Sequence, residues 1–235
     1  MNKKQFEYCE RGFDPSFWAE PLNAVTNAAF IIAALLATVM WLRVPSSERR
    51  WIDAWLLLLL YAIGTGSFFF HTFATTWAAL ADTIPIGVFM VSYLAYVMKR
   101  FFGLNWVITG LGLVVFVTAL WQASVVRCDG GPCLNGSVAY APAFIALVVL
   151  GSILAMRGHA AGASLVAAGV IFAVSLTFRT IDGPFCATTA LPNGQPLGYH
   201  FMWHILNATL LYILCRAAIK FGGPDASGDR ARSAG

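Results

Sequence analysis

His200 and His204 lie four residues apart in GYHFMWH, residues 198–204, at the head of the last apolar segment of a 235-residue chain. On a helix, residues i and i+4 share a face about 6 Å apart along the axis, so two imidazoles can turn to one ion. His71, at the end of GTGSFFFH, falls at the same depth and offers a third imidazole. Three histidines suit zinc, which takes nitrogen ligands tetrahedrally and, in catalytic sites, keeps its fourth position for water. That water loses a proton near neutral pH. Asp82 could take the proton as general base, or steady a ligand from behind. Ser67 precedes His71 by four residues and shares its face, where a hydroxyl could donate to a developing oxyanion.

Each residue also has a plainer reading. The two late histidines could be interfacial and bonded to backbone, and Asp82 could pair with Arg179 at a helix end. Ser67 could bond its own helix or let helices pack beside Gly64 and Gly66. Ionisable groups within a membrane are functional by default, and their common depth favours the metal reading. His159 falls in a loop and reads as ordinary.

The elements that must position these residues are membrane helices. The chain is 59% hydrophobic and only 11% charged, with a mean hydropathy of +0.71. A soluble domain runs near a quarter charged. A membrane-crossing helix needs roughly 20 apolar residues, and seven such runs occur, near 22–43, 53–72, 77–98, 104–126, 138–156, 160–179 and 198–219. The expected fold is all-α: an integral membrane protein with seven transmembrane helices. The expected organisation is an N-terminal outer-face segment over 1–21, the helical domain over 22–220 and a disordered cytoplasmic tail over 221–235. The acidic residues Glu7, Glu10, Asp14 and Glu20 interrupt the start, so no signal peptide is expected. No internal repeat is visible. The net charge of +4 is too small and scattered to suggest nucleic acid.

Lys and Arg set the orientation. Five (Lys3, Lys4, Arg11, Arg127, Arg179) fall on the N-terminal face and ten on the other, which predicts a cytoplasmic C-terminus and an outside N-terminus. Cys9, Cys128, Cys133 and Cys186 then fall on the outer face, where disulfides survive. The Gly-Gly-Pro within RCDGGPC can turn the chain so that Cys128 meets Cys133. The acidic N-terminal stretch has two readings. Oxygen-rich clusters suit calcium; alternatively the stretch is a solvated lead-in, with Glu20 capping the first helix and Pro21 at its first position.

The segments YCERG, FWAEPLNAVTN, GSFFFHTFATTWAALAD and HFMWH together resemble the alkaline ceramidase family, within a wider group of seven-helix hydrolases that includes the adiponectin receptors. The resemblance runs from about Tyr8 to about residue 215. It implies a zinc held by His71, His200 and His204, Asp82 as the base that activates water, and Ser67 as a hydroxyl near the metal. It implies calcium held by Glu10 and Glu20, with Glu7 as a further ligand. The chain departs from the family there: Gly12 falls near a family Asn, which removes a side-chain ligand, and Tyr8 stands for a Trp. The resemblance also implies a Cys9–Cys186 disulfide.

Four function classes follow. The first is a zinc-dependent amidase cleaving the N-acyl bond of a ceramide-like lipid to a sphingoid base and a fatty acid. The second is a related hydrolase of another lipid amide or ester. The third is a non-enzymatic seven-helix receptor, which no large soluble domain or long loop supports. The fourth, a retinal protein, lacks the mid-helix lysine it needs, because the last segment has only Lys220 at its inner end.

Overall fold

The computed structural model describes residues 3–5, 8–129, 131–192 and 194–223. Among these, seven helices are long and apolar enough to cross a membrane: α1 Pro21–Leu42, α2 Trp51–Phe73, α3 Thr76–Phe101, α4 Trp106–Val125, α5 Cys133–Met156, α6 Ala161–Ile181 and α7 His200–Phe221. The all-α, seven-helix reading holds. The runs differ only at their ends. α3 gains a π-helical turn over Val97–Phe101. α5 begins at Cys133 with a 3-10 stretch whose Leu134, Asn135 and Gly136 take left-handed backbone, a kink that hydropathy cannot signal. Most of the tail, from residue 224, lies outside the described residues.

The helices pack in chain order and close into a ring through α1 against α7. Their outward faces carry exposed Leu, Val and Trp; on α4, Val107, Leu111, Val114 and Trp121 are all exposed. So large an apolar surface belongs in lipid rather than water. Between helices, large apolar side chains such as Phe30, Leu60, Ile63, Phe89 and Leu165 pack together with small residues such as Ala34, Ala37 and Ala168, and a few polar contacts join them. Asn207 on α7 donates to the Ser175 hydroxyl on α6 at 2.7 Å. At the end remote from the histidines, Arg50 bridges Asp53 and the Ala218 carbonyl, and the Tyr96 hydroxyl donates to the same carbonyl.

The N-terminal segment is bound to the histidine end by three devices. The Gln5 amide donates to the Ala74 carbonyl, and the Thr76 amide to the Lys3 carbonyl, at the tight α2–α3 turn where Ala74 is left-handed (φ 46°). Cys9 and Cys186 are bonded, as the resemblance implied, and so are Cys128 and Cys133. Asp182, buried just after α6, accepts from the amides of Cys9, Tyr199 and His200. Its carboxylate therefore satisfies two otherwise orphaned amides at the start of α7 and fixes the segment beside it. Gly198 (φ 68°) is required there, since a Cβ would meet the Asp182 carboxylate and Cys9.

Candidate functional site

His71, His200 and His204 are each buried, and one ring nitrogen of each lies within 4.8 Å of the others. Among the described residues they form the one group of three or more His, Cys, Asp and Glu side chains arranged to hold an ion. The helix geometry explains the convergence. His200 and His204 share one face of α7, and His71 comes from the last turns of α2, with ring centroids 5.1 Å and 4.6 Å from them.

Hydrogen bonds behind the rings indicate which nitrogens are free. The Thr26 hydroxyl gives its proton to the Leu22 carbonyl at 2.8 Å, so its lone pair accepts from His204 Nδ1 at 2.9 Å. His71 Nδ1 donates to the Glu20 carboxylate at 2.5 Å. Both residues then present bare Nε2 lone pairs to each other, only 3.1 Å apart. Two such lone pairs repel unless a cation lies against them. Tetrahedral zinc at its usual bond length of about 2.0–2.1 Å would hold two nitrogens about 3.3 Å apart, which this pair nearly matches. His200 Nδ1 is buried with no hydrogen-bond partner. The donor set fits a zinc ion.

Asp82 and Ser67 are both buried. Ser67 is one turn before His71 on α2. Gly66 beside it brings α3 into close approach: a Cβ on Gly66 would strike the backbone of Ala81 and Asp82. Pro85 has no N–H to offer the Ala81 carbonyl, which faces Gly66 instead. The glycine thus sets how near the Asp82 backbone comes to the helix bearing Ser67 and His71.

A family model described as Ceramidase matches residues 2–222. The chain belongs to the ceramidase family. No curated protein matches it. As a ceramidase-type hydrolase it acts on amide bonds, with a lipid substrate and a membrane setting.

Other residues surround the histidines in this ceramidase-family site. Tyr8 stacks on the His200 ring with centroids 3.7 Å apart, and its hydroxyl accepts from Arg179. Arg179 also lies over the rings of Tyr140 and Trp203. Glu20 neither caps α1 nor stands free for calcium: one oxygen meets Arg11, and the other meets His71 and Asn23. Burial pushes the Glu20 carboxyl up, but His71, Arg11 and Asn23 outweigh it and hold it below the usual glutamate range. The α1 cap comes from Glu10, whose two oxygens accept from the amides of Leu22 and Asn23 at 2.8 Å each. Burial raises the Glu10 carboxyl in spite of those bonds. Both carboxylates are thus turned to internal partners, and Gly12 brings no side chain. This arrangement does not fit a calcium ion, which needs six to eight oxygens facing one point. Glu7 lies outside the described residues.

Proposed function

We propose that this protein is a zinc-dependent intramembrane amidase that cleaves the N-acyl bond of ceramide to a sphingoid base and a fatty acid. The observation that carries the reading is the convergence of three buried imidazoles, two with their Nε2 atoms 3.1 Å apart, in a ceramidase-family chain. Zinc held by His71, His200 and His204 would supply a Lewis acid for the amide carbonyl and an acidified water. Asp82 takes a proton from the attacking water and passes it to the departing amine. Ser67 donates to the carbonyl oxygen as its charge develops. Glu20 and Thr26 hold the His71 and His204 tautomers, and Tyr8 covers His200 against bulk water.

An apolar pocket between the helices supports a lipid substrate. Its lining includes Ile63, one turn before Ser67, together with Trp203 and Asn207 beside the histidines, and it runs along α7 to Leu214. Hydrocarbon chains can lie there while the amide stays at the level of the imidazoles. Purified protein incubated with a panel of lipid amides and esters is expected to release fatty acid from ceramide faster than from the others. Faster turnover of an ester, or of another amide, would transfer the assignment to a related lipid hydrolase.

The site is proposed near the outer face, with the C-terminus cytoplasmic, from the uneven split of Lys and Arg between the two ends. A reporter that works only outside the cytoplasm, fused after Lys220, is expected to be silent. Activity there would reverse the orientation.

A further inference from the structure

Arg11 is fully buried, its side chain 0% exposed, ten residues before the first membrane helix begins at Pro21. A guanidinium has five N–H donors in a fixed fork, and here all five are used. Nε donates to a Glu20 carboxylate oxygen at 2.5 Å. One terminal nitrogen donates to the carbonyls of Asp14 and Ser16 at 3.0 and 2.9 Å. The other donates to the carbonyls of His71 and Thr72 at 2.9 and 3.3 Å. Five oxygens thus converge on one buried positive charge, which also complements the negative C-terminal end of α2. A buried carboxylate and four carbonyls need a positive charge among them, and the guanidinium supplies it. We propose that Arg11 is a built-in cation, a positioning residue that closes the N-terminal segment over the histidine cluster without calcium. Glu20 joins the two halves of the device: it takes Arg11 on one oxygen and His71 Nδ1 on the other. The proposal rests on the zinc reading only in naming what the segment covers.

The test uses the full chain purified in detergent and reads calcium content and thermal unfolding, neither of which depends on turnover. Wild-type protein is expected to retain no calcium, and added calcium chloride should leave its unfolding midpoint unchanged. One equivalent of retained calcium, or a raised midpoint, overturns the proposal. Arg11→Asn removes the charge and adds an oxygen ligand; it should unfold earlier and recover several degrees when calcium is added. A folded Arg11→Asn protein blind to calcium shows that the guanidinium does not occupy an ion's place. Arg11→Lys keeps the charge but loses two of five donors. It should unfold earlier than wild type and stay insensitive to calcium, and wild-type stability or a calcium response in it overturns the proposal, even if Arg11→Asn cannot be recovered folded. Zinc measured in the same samples keeps the two readings apart: absent zinc removes the amidase reading and leaves the calcium result standing.

Discussion

Alanine at any one of His71, His200 and His204 is expected to empty the cluster of metal and abolish turnover. Two of the three imidazoles are already committed on their Nδ1 sides, to Glu20 and Thr26, so each has one nitrogen left to give. With one imidazole gone, two remain, and no other His, Cys, Asp or Glu among the described residues is grouped with them to replace it. Zinc sites need three protein ligands and a held geometry. Glu20→Gln should have a smaller effect of the same kind, about 10- to 100-fold in zinc affinity, the usual result of removing a carboxylate behind a histidine ligand. Elemental analysis of each purified variant, with thermal unfolding as the folding control, decides the matter. A folded His200→Ala protein with full zinc content would remove the site.

The bundle and the cluster were readable from local pattern. Seven apolar runs of membrane length need no knowledge of packing, and H-x-x-x-H sets its two rings on one helical face by geometry alone. The depth of His71 follows from its place at the end of its segment. What local pattern could not show was pairing across the fold. Glu20 looked like a cap or a calcium ligand, since nothing near residue 20 signals that residue 71 will lie against it. Arg11 counted only as a topological charge, because one arginine in a polar stretch is normally solvated. Glu10 caps a helix that starts eleven residues after it, beyond the three-residue reach of a usual capping motif. Asp182 carries no local signal, because its three amide partners come from two separate segments.

Asp82→Asn is expected to keep the metal, keep the fold and lower the rate by about 10²- to 10⁴-fold, the usual span for losing a general acid–base group. Asparagine matches aspartate in shape, so the close approach of α3 to Gly66 should survive. What disappears is the capacity to accept a proton from water and return it to the amine. An amide is a demanding test of that capacity, because its nitrogen leaves poorly without a proton. Ser67→Ala should reduce the rate less than Asp82→Asn, since it removes one hydrogen bond to the developing charge and leaves both proton transfers in place. The readouts are zinc content and initial rates of fatty-acid release from ceramide for the two variants side by side. If Asp82 were structural, acting only through the packing of α3, then Asp82→Asn should turn over like wild type. A zinc-loaded Asp82→Asn protein with the wild-type rate would therefore take Asp82 out of the mechanism. A Ser67→Ala protein slower than Asp82→Asn would reverse the order of importance assigned to the two side chains.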